Sequence, residues 1–249
     1  MEDQVTNTRS KQHPITLLAG GCLAVLYLAL CGIGIVFGGV QLAAQNAPTP
    51  TAILTPVPQI LVHAPADQDK VTHEDFSSNQ RNWGSYYSYG KLEVINGKLI
   101  LQSNMADGIG LGTSEQISPA GESYYVQADF STDVETVSAY GLVFGLNQSL
   151  STYYLFALWP DAARFRLFKY NTGKWTELVP FSAAKINPYP QANTLSVSFD
   201  KGSMELYING TLVSEYSDKD FFQSKDIGVY VDNGGFRLFV DDFFIYDEK

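Results

Sequence analysis

Trp159, Arg164, Arg166, Tyr170 and Trp175 gather around one stretch, ARFRLFKY and KWTELV, divided by Asn171-Thr172-Gly173. Its alternating apolar pattern broken by a glycine turn predicts a β-hairpin. Flat aromatic faces suit the C–H face of a sugar ring, and guanidinium groups donate several hydrogen bonds in a fixed plane. On one sheet face these five would make a ligand-binding surface. A solvated outer sheet whose aromatic rings and arginines pair by cation–π contact has the same composition. A second set is acidic. Glu74 and Asp75 precede the β-rich region, and Asp241 and Asp242 interrupt its last apolar run. Carboxylates of this kind ligate a structural Ca²⁺, with backbone carbonyls completing its ~6–8 oxygen ligands. Capping and hydrogen bonding of strand ends is the alternative reading.

Inventory removes other chemistries. The two cysteines, Cys22 and Cys31, and the three histidines, His13, His63 and His73, all precede residue 74. The remaining chain therefore has no disulfide framework, no Cys/His zinc site and no Cys or Ser-His nucleophile. Acids outnumber bases 26 to 16, for a net charge of −10, which argues against nucleic acid as partner. Gly108, Gly110 and Gly112 lack the following helix and Lys-Ser/Thr pair of a nucleotide loop and read as a tight strand or bulge. Asp133 and Glu135 read as a solvated turn. Trp83 and the run Tyr86-Tyr87-Ser88-Tyr89 read as a first strand packing inward, with a sticky recognition loop as the alternative. Asn147-Gln148-Ser149 and Asn209-Gly210-Thr211 fit glycosylation acceptors, the second more simply a turn.

The elements that position these residues fall into four parts. Residues 1–14 form a short tail containing Arg9 and Lys11. Residues 15–44 are expected to be a transmembrane helix. Their core, Ile15 to Val40, is 26 residues without a charge. At ~1.5 Å per residue that is roughly 39 Å of helix, enough to span a ~30 Å hydrocarbon layer with tilt. The bases before it and their absence until Lys70 predict a cytoplasmic N-terminus and an extracytoplasmic C-terminal region. Gly34/Gly38 and Gly20/Ala24 have the spacing of a close helix–helix contact, through which a second copy or a membrane protein partner would approach. Residues 45–70 hold five of the eleven prolines and predict an extended linker.

Residues 71–249 carry 13 bases and 22 acids, 13 − 22 = −9, and show almost no helical period. Short apolar runs recur instead. Asn96-Gly97 divides KLEVI from KLILQS, and Asn209-Gly210 divides SMELYI from TLVSEY. Both are two-residue hairpin signals. With SYYVQADFS, SAYGLVFGLN, TYYLFALW, NTLSVSFD, DIGVYVD and FRLFVDDFFIY, about a dozen strands are expected. The fold class is all-β, a jelly-roll β-sandwich of two antiparallel sheets. In ARFRLFKY, Phe165 and Leu167 face one way and Arg164, Arg166, Phe168 and Tyr170 the other. TYYLFALW is apolar on both faces, as a central strand would be.

HEDFSSNQRNWG followed by GKLEVINGKLILQS, the central YYLFALWPDAARFRLFKYNTGKWTELV, and the closing NTLSVSFDKGSMELYINGTLV and IGVYVDNGGFRLFVDDFFIY carry a resemblance. They resemble the concanavalin A-like lectin/glucanase superfamily, particularly bacterial laminin-G-like and 3-keto-disaccharide-hydrolase-like modules. The resemblance covers nearly all of 71–249. It implies that the first and last strands pair, which would draw Glu74, Asp75, Asp241 and Asp242 together. The glucanase E-x-D-x-E strand, which sets three carboxylates on one face, is missing, and no hydrolase motif position can be matched. No catalytic residue is assigned. The expectation is a single-pass, membrane-anchored binding or adhesion module for a glycan or polysaccharide. An accessory subunit of a membrane or cell-surface assembly is the second reading. A carboxylate-dependent glycoside hydrolase is the third.

Overall fold

The computed structural model describes residues 69–85, 90–103, 110–114, 117–149, 151–232 and 235–247. The expected membrane helix, the linker before Asp69, the tyrosine run and Gly108 lie outside the described residues. Among the described residues no helix is long and apolar enough to cross a membrane. The described chain is all-β. In order, its strands are β1 (Asp69–Glu74), β2 (Gly84–Ser85), β3 (Gly90–Ile95), β4 (Lys98–Ser103), β5 (Gly110–Thr113), β6 (Ser123–Thr132), β7 (Tyr140–Asn147) and β8 (Thr152–Trp159). They continue as β9 (Arg164–Asn171), β10 (Lys174–Ala183), β11 (Asn193–Asp200), β12 (Ser203–Ile208), β13 (Thr211–Ser217), β14 (Asp226–Val231) and β15 (Leu238–Asp247).

Two antiparallel sheets result. One runs β13-β12-β11-β6-β15-β4-β3, with β1 also on β15; the other runs β10-β9-β8-β7-β14-β5-β2. The expected pairing of first and last strands holds, with Asp69 opposite Asp247 and Glu74 opposite Phe243. All twelve strand runs read from the sequence are strands. β1, β2 and β5 are additional, β5 being the glycine run read as a tight strand.

Turn chemistry sets the hairpins. Asn96-Gly97 and Asn209-Gly210 both have positive φ at both positions, as a two-residue turn matching strand twist requires. Thr172-Gly173 adopts the same pair of left-handed conformations at the tip between β9 and β10. Lys201-Gly202 does so between β11 and β12.

The sheets bury their facing sides against each other. Phe130, Leu142, Phe144, Phe156, Val197, Phe199, Leu206, Val229 and Leu238 are all at most 2% exposed in one continuous core. Fully burying each such side chain contributes about 1.5–3 kcal/mol before entropy is counted. Aromatic rings interlock at one side of this core: Phe144 stacks on Tyr154 at 5.3 Å and meets Phe199 edge-on at 6.1 Å.

Lys169 stands on the core-facing side of β9, in line with Phe165 and Leu167. Its ammonium lies 2.7 Å from Asp218 Oδ2, donates to the Asp220 carbonyl at 2.6 Å and sits over the Phe222 ring at 4.5 Å. Tyr154 donates its hydroxyl to the same Asp218 oxygen at 2.8 Å. A charge this close to the core costs several kcal/mol unless paired, and here the partner is supplied by the segment after β13. The pairing ties that segment to the opposite sheet.

Burial alone would raise the Asp218 carboxyl. The hydrogen bonds from Lys169, Tyr154 and the Asp220 amide outweigh it and hold the group below its ordinary value of 3.8. A carboxyl depressed in the folded state contributes stability above its unfolded value and loses it as pH falls through the folded one. Urea midpoints of the wild type should therefore fall as pH drops below about 4, and Asp218→Asn should be less stable at neutral pH but flatter across that acid range.

β7 and β8 approach closely at Gly141, which pairs with Ala157. A Cβ there would stand 2.0 Å from the Phe156 carbonyl oxygen. Gly141→Ala should therefore cost about 2–4 kcal/mol in urea unfolding, since backbone has to move to admit one methyl.

Candidate ligand-binding face

Alternation along β8 sends Tyr154, Phe156 and Leu158 into the core and Tyr153, Leu155, Ala157 and Trp159 to the other side of the sheet. The outer side is covered by a second apolar cluster. Tyr153, Leu155 and Ala157 are at most 2% exposed there, with Trp159, Phe168 and Tyr170 packed against them.

Strand register aligns the candidate residues. Tyr153 lies opposite Tyr170, Ala157 opposite Arg166, and Trp159 opposite Arg164 across β8 and β9. Trp175 of β10 lies opposite Tyr170, and Glu177 opposite Phe168. All five residues named from the sequence, Trp159, Arg164, Arg166, Tyr170 and Trp175, thus occupy this one face. Phe165 and Leu167 occupy the other, as the alternation predicted.

The stripe has two ends. At the hairpin tip, Trp175 packs on Tyr170 at 4.7 Å, on Phe168 at 5.5 Å and edge-on to Tyr153 at 5.7 Å. Trp175 remains 41% exposed, an unusual amount for an indole and enough to offer a flat face to a ligand. At the other end, Trp159 meets Phe181 edge-on at 5.3 Å. Between them lies the Arg166 guanidinium, 4.5 Å over Phe181, 5.6 Å over Trp159 and 5.7 Å over Phe168. Its Nη1 also lies 3.4 Å from Glu177 Oε2. Arg164 also sits over the Phe181 ring, at 5.1 Å.

Tyr153, Glu177 and Phe181 were not named from the sequence, and Phe168 was placed on this face without being counted in the site. Tyr153 and Phe168 carried a readable signal, since each shares strand parity with a named residue. Phe181 shares the parity of Trp175. Val179, of that same parity, departs from it, because β10 slips register between Glu177 and Val179 and again between Val179 and Ser182. Val179 is consequently 7% exposed in the main core.

The four acidic residues do not converge. Glu74 is 5% exposed, accepts from the Phe76 amide at 3.0 Å and lies 3.3 Å from Arg81 Nε. Asp75 accepts from the Ser77 amide at 3.0 Å. Asp241 pairs with Lys98 at 3.0 Å and accepts from the Asp242 amide at 2.9 Å. Asp242 lies 3.2 Å from His73 Nε2, whose ring stacks on Phe244 at 4.2 Å. Among the described residues no group of three or more His, Cys, Asp or Glu side chains could hold a metal ion. Asp133, read as part of a solvated turn, instead clamps Arg237 through both its backbone amide and its guanidinium, at 2.9 Å each.

No protein-family model matches the sequence, and no curated protein matches it. Solved structures do resemble the fold. One is the carbohydrate binding module CBM66 from Bacillus subtilis, with a TM-score of 0.53 at 18% identity over 64% of this chain and 92% of that one. Another is a Bacillus subtilis protein with a galectin-like fold, with a TM-score of 0.56 at 14% identity over 72% and 97%. A third is the catalytic domain of an endo-1,3-β-glucanase (laminarinase) from Thermotoga petrophila, with a TM-score of 0.53 at 11% identity over 74% and 99%. The class defined by fold is therefore the jelly-roll sandwich of these structures.

Replacing Arg166 separates its charge from its shape. Arg166→Lys keeps the charge opposite Glu177 but loses the plane that stacks between rings. It should lower unfolding stability by about 0.5–1 kcal/mol, and Arg166→Ala by slightly more, both read from urea midpoints.

Proposed function

We propose that the protein is a membrane-anchored, extracytoplasmic module that binds polysaccharide along the outer face of β8–β10 without acting on it chemically. The observation that carries this reading is the exposed Trp175 at the head of a continuous aromatic and arginine stripe reaching Trp159 and Phe181. A pre-packed row of rings matches the repeating flat faces of a sugar polymer, and its side chains lose little freedom on binding. Arg164 and Arg166 supply planar donors to hydroxyls between those rings. Jelly-roll structures that bind or cut carbohydrate share the fold, which makes a glycan a fitting partner. The apolar run at Ile15–Val40, with Arg9 and Lys11 close before it and no base after it until Lys70, supports the anchor and the orientation. Absence of an E-x-D-x-E run supports a non-catalytic role.

Retention of the protein on insoluble polysaccharides tests this. Trp175→Ala and Trp159→Ala should each weaken retention on the recognised polymer about tenfold, ~1.4 kcal/mol, while circular dichroism stays unchanged. Equal retention by both variants would remove the stripe as the binding surface.

A further inference from the structure

A separate cavity opens at one pole of the sandwich, between the β6–β7 loop, the β8–β9 turn and the segment joining β10 to β11. It measures about 180 Å³ and is lined by Glu135, Thr136, Asp161, Asn187, Tyr189 and Gln191 among others. Its walls are fixed. Asn193, 1% exposed, accepts from the Asn187 amide at 2.8 Å and donates to the Asn187 carbonyl at 3.1 Å. Tyr189 donates its hydroxyl to the Asp133 carbonyl at 3.1 Å, yet its side chain is 46% exposed. Two tyrosine rings, of which Tyr189 is the exposed one, two exposed carboxylates and three side-chain amides therefore surround a space far smaller than the ~300–1,000 Å³ of pockets that enclose drug-sized ligands.

From this we infer a second binding site, for a single neutral polyhydroxylated ring. Carboxylates accept from vicinal hydroxyls, amides both donate and accept, and a tyrosine face covers C–H groups. No Lys or Arg lines the cavity, so an anionic ligand would meet Glu135 and Asp161 without compensation. Placement is also informative. β15 runs from Leu238, opposite Thr132, to Asp247, opposite Tyr124. Asp69 joins the sheet beside Asp247, so the chain enters at the pole remote from the cavity, a strand length of roughly 30 Å away. The cavity is thus at the pole of the sandwich opposite Asp69. The choice of sugars as ligand class rests on the carbohydrate-binding reading; the cavity and its chemistry do not.

Saturation-transfer NMR on the full chain, in a detergent without a sugar headgroup, tests the site with the methyl glycosides of glucose, galactose and mannose, and with glucuronate. At least one neutral methyl hexoside should bind, with glucuronate at least tenfold weaker. Asp161→Ala and Gln191→Ala, both at exposed positions, should weaken that hexoside tenfold or more at unchanged melting temperature, and Trp175→Ala should leave it within twofold. Binding by none of the hexosides, equal binding of glucuronate, or a signal that survives both cavity variants overturns the inference. So does a signal that Trp175→Ala abolishes, which would place the ring on the stripe. Polysaccharide retention in the stripe variants is a separate readout, so either site can fail while the other stands.

Discussion

The strand that everything else answers to is β8, because it is buried on both sides. Tyr154, Phe156 and Leu158 pack into the sandwich core, while Tyr153, Leu155 and Ala157 are nearly as inaccessible on the outer face. An antiparallel sheet normally leaves one side to water. Here the outer side has no second layer among the described residues other than the side chains of β8, β9 and β10 themselves. They cover one another by ring packing and by laying Arg166 flat across Trp159, Phe168 and Phe181. A surface that meets its own apolar demand in this way is rigid, and Trp175 is left at its margin with 41% of its surface in water.

Charge placement follows the same division. The chain is acidic overall, at −10, but its stripe carries Arg164 and Arg166 against Glu177 alone. The cavity at the loop pole shows the reverse, with Glu135 and Asp161 and no lining cation. Inside the sandwich, Lys169, in line with core residues of β9, is paired with Asp218.

Much of this was legible in the sequence, because the signals were local. Asn96-Gly97 and Asn209-Gly210 each specify a turn whose two residues take left-handed conformations, and two-residue alternation carried the facing of Phe165, Leu167, Arg164, Arg166 and Tyr170 onto the correct sides. What escaped depended on register or on distant partners. Val179 turns into the core, against the parity it shares with Trp175, because β10 slips register on either side of it, and nothing in KWTELVPFSA announces the slips. Lys169 has the parity of a core residue, and only Asp218, 49 positions away, makes that tolerable. Glu74, Asp75, Asp241 and Asp242 looked like one ligand set because first and last strands pair. They do pair, but Arg81, Ser77, Lys98 and His73 each reach a carboxylate first. Side-chain type and strand adjacency are readable from sequence; competition among partners for one carboxylate is a three-dimensional fact.

The two candidate sites differ in what geometry allows them to distinguish. An open stripe of rings contacts a polymer along its length, gains area with each additional unit, and discriminates weakly because every sugar has an apolar face. A cavity of about 180 Å³ meets a single ring, and its fixed carboxylates and amides penalise any ligand that leaves them unpaired or repels them. On the proposed reading, affinity for a surface and selectivity for a unit on it would fall to different parts of one sandwich. The β8–β9 hairpin joins them, since Trp159 ends the stripe and the next two residues, Pro160 and Asp161, line the cavity. A ligand reaching both would be held by two contacts whose linker is folded protein, so engagement at one raises the effective concentration at the other without any change of shape.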